Sequence, residues 1–268
     1  MSGESARPSA PDGSGAGSDW TPMSVYTLAV VTVIYALSFL DRSILSIVLP
    51  LIKKELHISD TMLGLITGFA FVLLYSGLGV PIARFADRGN RRNILALGCA
   101  AWSLMTVLTG FVTSIWQLAI ARFLMGAGEA CGLPPSNSII ADLFHPRRRP
   151  LALAIFGTAN SIAFIVFFPI AGWIAQNHGW RAMFVAMGVP GMIVALLLLL
   201  TVREPARKAP PRERERLSAT QIFADIRTLF ADKCYAWIFA GVTLMGANVW
   251  AAGAWTPTFF SRVHHMGL

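Results

Sequence analysis

The chain has 268 residues, of which 55% are hydrophobic and only 13% are charged, and its mean hydropathy is +0.59. Soluble domains carry about 25% charged residues, so this composition excludes an ordinary soluble enzyme, a disordered protein and a disulfide-built secreted domain. The net charge of +8 does not indicate nucleic acid binding, because the basic residues are spread over the connections between apolar segments. The composition is typical of an integral membrane protein.

Residues 1–24 open the chain with Gly, Ser, Ala and Pro, which predicts a disordered tail. Seven apolar segments follow, each long enough to cross a hydrocarbon layer of about 30 Å as a helix. They are approximately 25–50, 61–84, 93–113, 117–142, 151–175, 183–202 and 235–260. We predict an all-α membrane protein with a six-helix domain over 25–202, a linker over 203–234 and a seventh helix within 235–268.

The linker is long, charged and interrupted by prolines in its first half. Its second half, roughly 218–230, predicts an amphipathic helix because the apolar residues fall on one helical stripe. These residues are Ile222, Phe223, Ile226, Leu229 and Phe230. The pattern suits a helix at the membrane surface and equally a helix packed beneath the bundle.

The arginines and lysines predict the orientation. If the N-terminus is cytoplasmic, 16 of the 22 basic residues lie on the cytoplasmic side and four on the outside. Cytoplasmic loops of membrane proteins carry such an excess of positive charge. We therefore expect a cytoplasmic N-terminus, in the inner (plasma) membrane of a bacterium.

Four ionisable residues lie inside the predicted spans: Asp41 and Arg42 on the first helix, and Arg122 and Glu129 on the fourth. Charges at membrane depth are costly and mark functional sites. With a rise of about 1.5 Å per residue and a first helix ending near Pro50, the two charges of the first helix should lie between Arg122 and Glu129 in depth.

Two acids and two bases balance each other, which allows charges to exist in a low dielectric. Glu129 is the preferred proton-coupling site, since burial near the midplane favours the neutral form of a carboxylic acid. Asp41 is the second, because its neighbour Arg42 should hold it ionised. Arg122 is expected to pair with one of the acids or to attract an anionic group of a substrate. The structural alternative is a static pair of salt bridges between the two helices.

The connection after the second helix carries an acid and closely spaced arginines, a pattern that clasps a neighbouring helix through charge-assisted hydrogen bonds. It resembles the cytoplasmic signature G-x-L-A-D-R-x-G-R-R of the major facilitator superfamily. The matching residues, a cytoplasmic gating motif by that resemblance, are Asp87, Arg88, Arg91 and Arg92. Ala83 and Asn90 stand where the signature has glycine.

Within the superfamily, the run RFLMGAGEACGLPPSNSIIADLFHPRRR looks most like the spinster family. The resemblance implies a secondary active transporter with two six-helix halves and alternating access, whose helices one and four line the central cavity. Spinster-like proteins are implicated in moving sphingolipids and lysophospholipids, coupled to protons. The chain then corresponds to the N-terminal half and helix seven, truncated relative to twelve helices, and a missing C-terminal half is expected as its partner.

Further cavity-lining candidates are Asn160 and Ser161 on helix five, and Asn248 and Trp250 on helix seven. The expected partners are an amphiphilic or lipid-like substrate, protons and membrane lipid. No enzyme motif, cofactor site or metal-ligand cluster stands out in the sequence. The alternatives are an organic-anion symporter of the same superfamily, which shares the Arg…Gly…Glu-Ala pattern, and a non-transporting half-domain or scaffold. A receptor or light-driven pump is opposed by the cytoplasmic N-terminus and by the lack of a lysine after Lys233 in helix seven.

Overall fold

The computed structural model describes residues 20–207, 224 and 227–264, apart from the side chains at 67, 80, 87, 254, 257, 258, 261 and 262. Every regular element within these ranges is a helix, which confirms the all-α prediction. The predicted tail up to residue 19, the linker over 208–223 and the Asp87 side chain lie outside the described residues.

Besides a short helical stretch at 227–231, the described residues form seven helices. They are α1 (Pro22–Leu56), α2 (60–88), α3 (Arg91–Thr109), α4 (Ile115–Glu129 and Leu133–Leu143), α5 (149–178), α6 (180–201) and α7 (Lys233–Val263). Two contain a π-helical segment, Leu65–Ala70 in α2 and Ala163–Phe167 in α5. In the part of the chain that the structure describes, five stretches are long and apolar enough to cross a membrane, and one of them joins α5 and α6.

Helix α1 is longer than the sequence indicates, because it runs through Pro50 and ends only at Leu56. At about 1.5 Å per residue, Arg42 lies about 21 Å from this end, and Glu129 lies about 21 Å from the start of α4 at Ile115. The two side chains therefore share one level. That the α1 charges lie between Arg122 and Glu129 in depth stays a prediction, and it is consistent with the contacts of Arg42 with Glu129 and of Asp41 with Arg122.

The α5–α6 turn is tighter than predicted. Within Phe168–Thr201, Gly179 is the residue with non-helical backbone angles, φ 83° and ψ 163°. This positive φ favours glycine. The next residues bind the end of α1: the Trp180 indole donates to Glu55 at 2.7 Å and Arg181 pairs with Glu55 at 2.5 Å. Arg181 also donates to the Val112 carbonyl at 3.0 Å, so this turn ties α6 to α1 and to the connection between α3 and α4.

The outer surface of the bundle is apolar, as expected for helices that face lipid. Large hydrophobic side chains more than half exposed occur on almost every helix. They include Phe85, Leu97, Trp116, Ile165, Leu200 and Trp237. Inside, α3 packs against α4 and α6, α2 packs against α4, and α1 contacts α5, α6 and α7.

Gly126 allows the close packing of α2 on α4. A Cβ atom at this position would meet the backbone carbonyl of Phe71 on α2, which no side-chain rotation relieves. We expect Gly126→Ala to lower the free energy of unfolding by about 1–3 kcal/mol, the usual range for overpacking. Equilibrium unfolding of the purified protein in detergent measures this.

The matched control is Gly172→Ala, because Gly172 is also helical and a Cβ there meets nothing within 4 Å. Alanine is the better helix former by about 1 kcal/mol at most, so this variant should be as stable as the parent or slightly more so. Equal stability of the two variants would contradict the packing role of Gly126.

Candidate functional site

A layer of buried polar residues lies between two apolar clusters of the bundle. One cluster holds Leu45, Val48 and Phe184, and the other holds Val31 and Leu198. The layer between them, here named the central polar layer, consists of Ser38, Asp41, Ser103, Thr106, Arg122 and Glu129, each at most 2% exposed. Buried polar groups at membrane depth are retained only where they pair or serve a function.

Arg42 joins α1 to α4 through Glu129. Its Nε donates to Glu129 Oε2, and its Nη2 donates to the Ser38 hydroxyl at 2.8 Å. The Ser38 hydroxyl in turn donates to the same carboxylate oxygen at 3.0 Å. The other oxygen, Glu129 Oε1, is buried and has no hydrogen-bond partner among the described residues. Glu129 is therefore a buried carboxylate held by one cation and one hydroxyl.

Asp41 does not pair with Arg42, although the sequence argument assigns that arginine to hold it ionised. Arg42 pairs with Glu129 instead, and Arg122 donates to the backbone carbonyl of Asp41 at 3.0 Å. In the described part of the chain, Asp41 Oδ1 and the Nε and Nη2 atoms of Arg122 are buried without a hydrogen-bond partner. Unsatisfied buried polar groups are rare in native proteins and call for an explanation such as function. The two carboxylic acids thus lie in different surroundings.

Aromatic rings surround the partly exposed face of this site. The Arg42 guanidinium lies 4.9 Å from the centre of the Tyr75 ring and 6.0 Å from that of Phe71, both on α2. On α1, the Phe39 ring lies 5.1 Å from Phe164 of α5 and 6.2 Å from Trp250 of α7. Sequence reasoning missed Phe39 and Tyr75. The spacing of Phe39 and Arg42 by three residues was the available signal, since such residues share one side of a helix.

The predicted lining residues divide into two groups. The Trp250 ring of α7 contacts the Phe39 ring of α1. The side-chain carbonyl oxygen of Asn160 is buried and has no hydrogen-bond partner among the described residues. Ser161 and Asn248 are exposed, and no described side chain forms a hydrogen bond with either. The structure therefore brings Trp250 to the site and leaves Ser161 and Asn248 at the surface of the described bundle.

The cytoplasmic signature forms a second charged site. Arg91, 1% exposed, pairs with Asp142 at the end of α4 and with Glu204 after α6, the latter at 2.7 Å. The backbone N–H of Arg92 donates to Glu204 at 2.8 Å. These contacts join the ends of three helices. Arg88 is exposed, and the Asp87 side chain lies outside the described residues.

Arg207 extends this second site beyond the residues that the sequence motif identifies. Its Nη2 donates to the carbonyls of Ala86 and Gly89 at 2.9 and 2.6 Å. The segment after α6 thus holds the α2–α3 turn. No sequence motif marked this contact.

Residues 31–268 match the sequence profile of the Major Facilitator Superfamily. An MFS-type efflux pump of Mycolicibacterium smegmatis is 31% identical over 246 residues, covering 90% of this chain and 55% of the pump. Protein spinster homolog 1 of Xenopus tropicalis is 31% identical over 244 residues, covering 89% of this chain and 46% of that protein. The chain spans about half the length of these curated relatives.

A solved structure agrees with these relatives. The crystal structure of a bacterial homolog to the human lysosomal transporter spinster, inward-facing and unoccupied, superposes with a TM-score of 0.76 and 31% sequence identity. The match covers 92% of this chain and 57% of that one. The helix packing, the cytoplasmic signature and the sequence profile lead to one conclusion. The chain belongs to the major facilitator superfamily.

Proposed function

We propose that the protein is a proton-coupled secondary active transporter of an amphiphilic organic substrate, with Glu129 as the principal proton site. The ion pair between Arg42 and Glu129 carries this proposal. We further propose that the N-terminus is cytoplasmic, in a bacterial plasma membrane, and that 25–202 form one half of an alternating-access machine. The similarity to spinster homologues supports the choice of substrate.

Protonation of Glu129 is the step that couples the two ligands. A proton on this carboxylate removes its charge and weakens its hold on Arg42. The Arg42 guanidinium is then free to bind an anionic group of the substrate, because its side chain is 14% exposed and pairs with no other carboxylate among the described residues. Proton and anion enter together, so the site keeps its charge balance in a low dielectric.

The aromatic residues beside Arg42 fit the apolar part of such a substrate. Phe39, Phe164 and Trp250 form a contiguous wall on α1, α5 and α7, one helical turn from Arg42. Ligand sites are commonly lined by aromatic side chains with a few polar groups that fix orientation. A charged group near Arg42 and an apolar body against this wall describe an amphiphile.

Asp41 and Arg122 are proposed as a second pair, in which both residues are almost fully buried. Their unpartnered buried atoms allow Asp41 to exchange a proton and allow Arg122 to attract whichever acid is ionised. The competing account holds that the four charges are static links between α1 and α4. That account predicts that conservative changes alter stability and leave any pH dependence of transport unchanged.

Transport by the full-length protein in proteoliposomes tests the proposal. Uptake of a labelled anionic lysophospholipid should rise about tenfold or more when a proton gradient is imposed, whereas a short sugar acid should remain at the level of empty liposomes. Gradient-driven uptake of the sugar acid in place of the lysophospholipid would favour the organic-anion symporter. Uptake of the lysophospholipid that ignores the gradient would contradict proton coupling.

A further inference from the structure

Two adjacent arginines, Arg147 and Arg148, lie in the turn between α4 and α5. Arg147 and Arg148 are exposed, and neither side chain forms a hydrogen bond or ion pair with any described residue. The next residue, Arg149, is held by the Phe144 carbonyl at 3.2 Å. Arg91 is buried between two carboxylates. The turn therefore presents two adjacent guanidinium groups whose charge no described residue neutralises.

The backbone that carries these two arginines is ordered. The N–H groups of Arg148 and Arg149 both donate to the His145 carbonyl, at 2.8 and 3.0 Å. Pro146 and Pro150 flank the arginines and fix φ near −65° at both ends of the run. A ligand that binds here meets a fixed turn, so little backbone entropy is lost on binding.

Lipid-facing residues follow directly. Leu151 and Ile155, in the first turns of α5, are 56% and 36% exposed and lie one helical turn apart on the same side of the helix. The first of them lies three residues after Arg148, on the same side of the helix start. The surface thus changes from two cations to an apolar face within one helical turn. This arrangement matches the order of groups in a phospholipid, with its charged headgroup at the interface and its acyl chains in the hydrocarbon layer.

We propose that Arg147 and Arg148 bind the phosphate of an anionic phospholipid whose acyl chains lie along Leu151 and Ile155. The planar guanidinium group binds phosphate oxygens through two parallel hydrogen bonds, and adjacent arginines reach one phosphate from two sides. A headgroup with net negative charge is preferred over a zwitterionic one, since the turn supplies two cations and no free carboxylate. The site lies on the perimeter of the bundle, apart from the central polar layer, and holds structural lipid rather than transported substrate.

Native mass spectrometry of the full-length protein, titrated with phosphatidylglycerol in detergent, tests this site. Juxtamembrane basic residues contribute roughly 1 kcal/mol each toward anionic lipid, so Arg147→Gln/Arg148→Gln should weaken binding about 10- to 30-fold. The matched control is Arg203→Gln, because Arg203 is also exposed without a side-chain partner in the described ranges. That variant should change binding by less than about twofold.

Arg147→Lys/Arg148→Lys provides a second variant that keeps the charge. Its affinity for phosphatidylglycerol should be a few-fold lower than that of the parent, because lysine lacks the bidentate geometry of arginine. This variant can be measured even if the glutamine variant does not fold. Phosphatidylcholine and millimolar inorganic phosphate should neither bind nor displace phosphatidylglycerol. Equal affinity in parent and glutamine variant, an equal loss in Arg203→Gln, or displacement by inorganic phosphate would each overturn the proposal.

Discussion

Glu129→Gln is expected to abolish proton-gradient-driven transport while leaving the protein folded. Glutamine keeps the shape of the side chain and accepts hydrogen bonds from Ser38 and Arg42 through its carbonyl oxygen. It carries no charge and takes up no proton at this position, so it resembles the protonated state permanently. The gradient then lacks its principal proton site, the one that is paired with Arg42. Gradient-driven uptake by this variant should fall to about the rate measured in empty liposomes.

The matched control for this variant is Ser38→Ala. It removes the hydrogen bond to Glu129 Oε2 and the hydrogen bond accepted from Arg42, and it keeps both the carboxylate and the guanidinium group. A lost hydrogen bond to a charged group costs roughly 1.5–3 kcal/mol, so transport should be reduced but should still respond to the gradient. Asp41→Asn tests the second proton site in the same assay. Undiminished gradient-driven transport by Glu129→Gln would eliminate the assigned role of this residue.

Arg91→Ala is expected to lower the free energy of unfolding by about 3 kcal/mol. Removing one partner of a buried ion pair is strongly destabilising, because the carboxylates left behind lose their counter-charge. The expected loss is at the lower end of the range for such changes, since Asp142 and Glu204 are 16% and 24% exposed and regain some water. The ends of α3, α4 and α6 lose their common link.

Equilibrium unfolding in detergent measures this loss, with Arg88→Ala as the control. Arg88 belongs to the same signature but is exposed, and its side chain has no bond with a described residue. Surface substitutions of this kind change stability by about 0.5 kcal/mol at most. If Arg91→Ala and Arg88→Ala lower the free energy of unfolding equally, the ion pairs of Arg91 do not hold the helix ends together.

The number and order of the helices follow from the sequence because apolar length in a membrane is a strong constraint. Helix ends are set by finer interactions. The prolines Pro134 and Pro135 and the capping residue Ser114 are visible in the sequence, whereas the continuation of α1 through Pro50 depends on packing against neighbouring helices. The short α5–α6 turn likewise depends on a single glycine, Gly179, in a left-handed conformation.

The four charged residues of the candidate site could be identified from their depth, but their pairing could not. Asp41 and Arg42 are adjacent in the chain, yet successive side chains of a helix point about 100° apart. Arg42 therefore turns toward α4 and Glu129, and Asp41 lies beside the α4 arginine, Arg122. Which partner each of these side chains meets depends on the rotation of α1 about its axis, and composition and spacing do not determine that rotation. The aromatic partner Tyr75, on α2, depends on it as well.

Proton movement on substrate addition tests the central claim most directly. The full-length protein is reconstituted in weakly buffered liposomes with no imposed gradient, and external pH is recorded when an anionic lysophospholipid is added. The account predicts alkalinisation of the medium as protons enter with the substrate, and none with Glu129→Gln. Substrate uptake without a pH change in the parent, or an equal pH change in the variant, would contradict coupling through Glu129.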